Sequence, residues 1–462
     1  MVHRQPSGEP AMERPNLVLM LMDNLGYGDI GCYGSTQHRT PNLDRLATQS
    51  VRLTDYYSCS GVCTPSRASL MTGCYPRRLN LHISDRGHAV LQPVSRKGLH
   101  PEEVTIARLL KGAGYATGCV GKWHLGDQPA FLPTRHGFDS FYGAPYSEDM
   151  TPGPNRPGWP DLPLMRDETV IEAPIDRDTL TQRYTAEAIR FITANRERPF
   201  FLYLPHAMPG STDTPFASTA FSGRSANGRY GDSIEELDWS AGEVLATLDR
   251  LGLSQNTIVV WTSDNGAVYR NPQQGSNAPL RGWGYDTSEG SQRMPCLVRW
   301  PGRLPAGVTC DELLTMMDWL PTMAAITGAP LPADRTIDGY DIRDILAARP
   351  GAASPYDDRG FFYYFMDQLQ AVRSGPWKLY LPLEKKRCRL GGGFTSSPLA
   401  LYDVRHDLSE DHEVSAQHPE AVQRLLALAE AARADLGDLD REGAGCRSAG
   451  WVENPTARRL EP

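Results

Sequence analysis

Two runs of apolar residues stop abruptly at an aspartate: NLVLMLMD over residues 16–23 and TIVVWTSD over residues 257–264. Neither alternates apolar with polar positions, so both faces of each strand need apolar cover. That is the pattern of central strands in a parallel sheet flanked by helices on both sides. A third run, FFLYL over 200–204, predicts a strand that ends before His206. Helical periodicity fills the intervals at 41–49, 104–112, 181–195 and 233–251. Alternation of this kind predicts an α/β fold: one large mixed, mostly parallel sheet sandwiched by helices. Beyond Arg349 the pattern changes to short aromatic strands at 361–365 and 377–381 and one last helix at 419–436. The chain therefore divides into a large α/β domain, 1–349, and a smaller C-terminal antiparallel sheet plus helix, 350–462.

Ligands of open α/β sheets collect beyond the carboxyl ends of the strands. Asp23, Asn24, Asp264 and Asn265 all fall there, four hard oxygen donors of the kind that suit Ca²⁺ and, less well, Mg²⁺. A net charge of −8 over 462 residues, with no basic stripe, argues against nucleic acid. The apolar run at 17–22 is too short for a membrane span or a signal segment, which predicts a cytoplasmic protein with no membrane partner. Nine cysteines, an odd number without a C-x-x-C pair, indicate neither a disulfide framework nor a zinc site.

One of those cysteines has company. In VCTPSRASLMTG, residues 62–73, Pro65 pre-sets a first helical turn, so Cys63 falls at a helix N-terminus. The dipole there lowers a thiol's pKa and attracts anions, so a reactive Cys63 facing an anionic substrate is one reading. A metal ligand and a buried hydrophobe are the others.

The segment Cys63-Thr64-Pro65-Ser66-Arg67 through Gly73 resembles the signature of the type I, arylsulfatase A-like sulfatases of the alkaline phosphatase superfamily. So do Arg14-Pro15-Asn16, Asp23 to Asp29, Thr40 to Asp44, Gly121 to Gly126, His136 to Asp139, Asp264-Asn265-Gly266 and Leu401-Tyr402-Asp403, in that order along the chain. The resemblance implies that a formylglycine-generating maturation enzyme oxidises Cys63 to an aldehyde whose hydrate attacks the sulfur of a small sulfate ester. It implies a divalent metal on Asp23, Asn24, Cys63, Asp264 and Asn265. Lys122 would hold sulfate, His124 would take a proton during sulfate elimination, and Arg67 would brace nucleophile and metal carboxylates. Lys122 and His124 alternate, so an extended segment would turn both to one side, with Trp123 on the other. Ser147 matches a serine near the nucleophile.

The chain also departs from the pattern. Asn24 stands where the family usually has a second aspartate. Gly210 stands where the family has a substrate histidine, and Gly284 or Tyr285 where it has a lysine. His206, Asp213, Arg281 and Tyr285 are the candidate replacements on the substrate side. Three functions follow: a sulfate ester hydrolase, a phosphonate monoester or phosphodiester hydrolase of the same superfamily, or a catalytically impaired binder of sulfated ligands. A homo-oligomer is compatible with each.

Overall fold

A computed structural model describes residues 14–156, 158–271, 273–388 and 393–461. The targeting question posed by residues 1–13 therefore lies outside the described residues. Seven strands carry the argument: β1 (Asn16–Asp23), β2 (Val51–Tyr57), β3 (Ala116–Val120), β4 (Ser140–Gly143), β5 (Phe200–Pro209), β6 (Thr257–Ser263) and β7 (Arg293–Arg299). They lie side by side in the order β2-β7-β6-β1-β5-β3-β4 within an eleven-stranded sheet. β1 runs parallel to both β5 and β6, and β3 parallel to β5 and β4, whereas β7 is antiparallel to its two neighbours. Hence β1, β2, β3, β5 and β6 all point their carboxyl ends the same way.

The apolar runs do what their lack of alternation requires. Leu17, Leu19 and Leu21 enter one buried cluster, and Val18, Met20 and Met22 enter a second on the opposite face. The first is covered by α2 (Cys63–Thr72), α3 (Ile106–Gly112) and α6 (Trp319–Thr327). The second is covered by α1 (Pro41–Thr48), α4 (Leu180–Ala194) and α5 (Gly228–Arg250). With β1 wholly buried, Leu19→Ala would cost about 2–5 kcal/mol, because a cavity there has no solvent to collapse from.

β5 overruns its expected end. Its ladder continues through Pro205 and Pro209, so His206 lies inside the strand, on the face shared with Leu202 and Leu204. The last apolar residue of the run is thus a poor guide to where parallel pairing stops. C-terminally, strands Phe361–Phe365, Gln368–Ser374, Trp377–Tyr380 and Ala400–Asp403 form an antiparallel sheet, against which α7 (Pro419–Leu436) packs. The tail then crosses back: Gly450–Trp451 pairs with Lys97–Gly98, and the Thr456 N–H donates to Gln128 Oε1 at 2.8 Å. No helix among the described residues is long and apolar enough to cross a membrane.

Candidate active site

The parallel register delivers two acids to one place. The Asp264 N–H donates to the Met22 carbonyl (3.0 Å), extending the β1–β6 ladder, and the Asn24 N–H donates to Asp264 Oδ1 (3.1 Å). Asn24 takes a left-handed turn (φ 59°) at the end of β1, a conformation Asn tolerates better than most residues. Cys63 opens α2 immediately beyond β2, and Arg67 follows one turn later on the same helix face. Its guanidinium spans the acids: Nε donates to Asp264 Oδ2 at 2.9 Å, Nη2 to Asp23 Oδ1 at 3.0 Å, and Nη1 to the Lys122 carbonyl at 2.7 Å. The Cys63 thiol lies 3.3 Å from Asp23 Oδ1 and 3.5 Å from Lys122 Nζ.

Burial decides the electrostatics, and it decides against an activated thiol. Burial raises the Cys63 pKa well above the ordinary thiol value, and the carboxylates of Asp23 and Asp264 raise it further. The helix N-terminus, together with Lys122 and Arg67, does not outweigh them, so the expected low pKa is not found. Burial would also raise Asp23, but the charges of Lys122 and Arg67 overcome it and hold that carboxyl below its usual range. Asp264, the less well neutralised of the two, is pushed up to about 7 by burial and by the Asp23 charge beside it.

Lys122 and His124 do not sit on an extended strand. Gly121 adopts φ 133°, and a Cβ there would meet the Pro205 carbonyl oxygen at 1.9 Å, so only glycine admits this approach. Each following N–H is tied to β5 or to the segment just beyond β4: Lys122 to Pro205 O (2.7 Å), Trp123 to Ala144 O (3.0 Å), His124 to Pro145 O (3.1 Å). Lys122 Nζ reaches both Asp23 oxygens at 2.8 Å and Ser147 Oγ at 2.9 Å. His124 has φ 60°; its Nε2 meets the Leu91 carbonyl at 2.9 Å, while buried Nδ1 has no partner. Burial and the nearby Lys122 and Arg67 charges keep its imidazole neutral.

Asp23, Cys63, Arg67, Lys122, Ser147, Asn24, Asp264 and Asn265 are thus gathered together. His206 is not brought into the group. It lies beneath α4 and α5, with Nε2 3.0 Å from Ser240 Oγ and its ring beside Tyr184, and burial lowers its pKa to about 3. Arg281 pairs with Glu410 at 3.1 Å, and Asp213 is exposed. Three residues that the motifs do not single out, or leave among several candidates, complete the cluster. Glu148 accepts the Ser147 hydroxyl (2.9 Å) and the Ser211 N–H (2.8 Å), and the Tyr285 hydroxyl donates to Ser211 Oγ (2.9 Å). Glu148 directly follows Ser147, but in the sequence nothing marks it off from the acidic neighbour Asp149.

An α/β sandwich of this build, with its charged groups gathered at the strand ends, places the chain among the alkaline phosphatase-like hydrolases. The sulfatase family model matches residues 15–329, and that for the C-terminal region of aryl-sulfatase matches 357–455. Steryl-sulfatase of Mus musculus is 36% identical, covering 93% of this chain and 84% of its own length. Arylsulfatase A of Homo sapiens is 38% identical over 90% of this chain and 87% of its own. The solved PsFucS1 sulfatase of a Pseudoalteromonas species superposes with a TM-score of 0.79 at 26% identity, covering 91% and 90% of the two chains. The chain belongs to the sulfatase family, and it is a sulfuric ester hydrolase.

Proposed function

We propose that the chain hydrolyses the sulfate ester of an aryl or other small organic alcohol, with Cys63 converted to formylglycine and a divalent cation, Ca²⁺ or Mg²⁺, bound beside it. The observation that carries this is the position of Cys63. Its Sγ and one oxygen each of Asp23 and Asp264 lie within 4.8 Å of one another, around a thiol too buried to ionise. As a free thiol the residue is a poor nucleophile, whereas as a precursor it stands at the right place.

The donor set fits a hard cation. Oxygens of Asp23 and Asp264 converge there, Asn24 Oδ1 accepts from the Asn265 amide beside them, and Asn265 Oδ1 is buried without a hydrogen-bond partner, an unmet acceptor that a cation would satisfy. When bound, the cation would supply Lewis-acid polarisation of the sulfate, and the hydrated aldehyde derived from Cys63 would supply the attacking hydroxyl. The remaining work falls to side chains of this chain. Lys122, held above its ordinary pKa by Asp23 against the effect of burial, stays cationic and binds sulfate oxygens. Arg67 fixes the two acids, and Ser147 orients Lys122. His124, neutral and with Nδ1 unpartnered, is the group free to take up a proton.

Co-expression with a formylglycine-generating enzyme, followed by mass spectrometry of the Cys63 peptide and assay of 4-nitrophenyl sulfate, tests this. Thiol-to-aldehyde mass loss with chelator-sensitive sulfate release is expected. A converted protein that cleaves a phosphodiester and no sulfate would favour the phosphonate or phosphodiester reading, and one that cleaves neither would favour a binder. The nine unpaired cysteines support a reducing, cytoplasmic setting for this activity.

A further inference from the structure

The two departures from the family pattern, at Gly210 and Gly284-Tyr285, meet in space. Gly210 has φ 75° and donates its N–H to the Asp23 carbonyl at 2.9 Å. A Cβ at that position would lie 2.2 Å from Glu148 Oε1, so the volume a side chain would need is occupied by the Glu148 carboxyl. That carboxyl pins the turn: one oxygen accepts the Ser211 N–H, the other the Ser147 hydroxyl, which itself accepts from Lys122. Ser211 Oγ then accepts from two donors, the Asn24 amide and the Tyr285 hydroxyl, each at 2.9 Å. The Tyr285 oxygen is 3.5 Å from Asn24 Nδ2.

Tyr285 reaches this position at a conformational cost. Its φ is 78°, a region that costs a bulky residue roughly 1–3 kcal/mol and persists only where surroundings over-determine it. They do so here. The Tyr285 N–H donates to Gly61 O at 3.0 Å and the Gly284 N–H to Ala267 O at 2.8 Å. A Cβ at 284 would stand 2.6 Å from the Gly266 carbonyl oxygen, so glycine at 284 permits the approach that turns Tyr285 over the strand ends. Arg270 clips the carbonyls of Gly210 and Thr212 and lies over the Tyr230 ring, fixing the 210–212 turn from its other side. Of the four replacement candidates, His206 is under the helices and Arg281 is paired with Glu410, while Asp213 is exposed; only Tyr285 meets the cluster.

We propose that Tyr285, positioned by Ser211 and Glu148, is a catalytic residue whose phenolic O–H turns from Ser211 Oγ to hydrogen-bond the ester oxygen that departs with the alcohol, the Ser211 hydroxyl then donating to the phenol oxygen. The inference rests on sulfate ester hydrolysis at this site. As the attacking oxygen bonds to sulfur, the sulfur–oxygen bond to the alcohol breaks and its electron pair goes to that oxygen. Tyr285 stabilises the developing charge with its hydrogen bond, and the proton that the attacking hydroxyl loses passes through solvent water to the released alcohol. A donor aimed at an oxygen that gains charge only in the transition state is typically worth about 10²–10³ in rate. Its value shrinks as the leaving group becomes intrinsically better.

The test is the rate of wild type and Tyr285→Phe on aryl sulfates of graded leaving-group acidity, in protein with Cys63 converted. The deficit of Tyr285→Phe should grow from about threefold for a dinitrophenyl ester to about 100-fold for an unsubstituted phenyl ester. Ser211→Ala, which frees the phenol without removing it, should reproduce the trend with smaller amplitude and serves where Tyr285→Phe folds poorly. A second readout needs no turnover: calorimetric titration of the unconverted Cys63 protein with phenyl sulfate should show nearly unchanged affinity for Tyr285→Phe, because the charge that the hydrogen bond meets develops only in the transition state. A deficit equal for all leaving groups, or none, or one matched by an equal loss of phenyl sulfate affinity, overturns the assignment. Wild type that carries formylglycine yet releases no sulfate overturns the hydrolase reading itself, a separate result.

Discussion

The molecule buries two clusters of charge, and they are balanced differently. At the junction with the C-terminal sheet, Arg373 clamps Asp55 through both its terminal nitrogens at 2.6 Å, and Arg293 lies 3.3 Å from the same carboxylate. Glu289 accepts from Lys378 at 2.8 Å and from the Tyr363 hydroxyl at 3.0 Å, and Glu410 stands 3.7 Å from Lys378. Three acids face Arg373, Arg293 and Lys378 there, with Arg281 reaching Glu410 from the rim, although Glu410 Oε1 has no hydrogen-bond partner. At the strand ends Asp23, Asp264 and Glu148 face Arg67 and Lys122 alone, and an amide oxygen of Asn265 and a ring nitrogen of His124 go unpaired. The first cluster has a cation for every acid, as a cluster that holds the fold together requires, whereas the second is short of one, the unmet demand of a cluster built to bind. Here the demand is for positive charge.

Separating stability from turnover tests that contrast most severely. Cys63→Ala should lower sulfate release by at least about 10⁴-fold, since nothing else in the cluster can replace the nucleophile, and should leave the thermal midpoint nearly unchanged. Arg373→Met should do the reverse. Removing one partner of a buried pair costs about 3–5 kcal/mol, read as a shifted denaturant midpoint, with kcat per folded molecule retained. If Arg373→Met abolished activity in protein that remained folded, the interface cluster would belong to the site after all. Third in size is the effect of metal: Ca²⁺ at about a hundred times its Kd should stabilise wild type by about 2.7 kcal/mol and Asp264→Ala by much less. Equal shifts in both would place the cation elsewhere.

The sequence showed the strand-end acids because a run buried on both faces has to stop where a charge begins, and β1 and β6 obey that rule at Asp23 and Asp264. It misjudged β5, where Pro205, His206 and Pro209 look like loop residues yet stay in the strand, His206 within a bulge between the paired Pro205 and Pro209 and carried under the helices. It also misread the Cys63 thiol, because a dipole argument reads one helix end and the pKa answers to every charge within reach of a buried atom. Lys122 and His124 come together through a glycine-dependent loop rather than strand alternation, a geometry that no two-residue period encodes. Glu148 was invisible for a simpler reason: its role depends on the absent side chain of Gly210, 62 positions along the chain.

The smallest effect discriminates most sharply, because the two clusters respond to pH with opposite signs. In metal-free protein Glu148 is pushed up to about 7, first by burial and then by the Asp23 charge, with Lys122 pulling the other way, and Asp264 is displaced similarly. A carboxyl raised in the folded state contributes stability that is complete below its unfolded value, near 4.5 for Glu, and is lost as pH rises through about 7. Glu289 is the converse: Lys378, Arg373 and Arg293 overcome burial and lower it to about 2, so its contribution is complete above 4.5 and lost as pH falls toward 2. Between pH 5 and pH 8, then, of these two clusters the strand-end acids alone should tilt the curve, in the same direction as Asp318, raised to about 7 by burial, and Asp127 and Asp238, raised to about 6. Buried neutral histidines such as His136 and His206, both lowered to about 3, tilt it the other way below 6.5, so the useful quantity is a difference. Denaturant midpoints of chelated wild type, measured against Glu148→Gln, should fall progressively behind between about pH 4.5 and pH 7 and stay level above that. Saturating Ca²⁺ should remove the part of the slope owed to Asp264, since a bound cation stabilises that carboxylate. Parallel curves for wild type and Glu148→Gln would mean that the acid already has its counter-charge, and the two clusters would be of one kind.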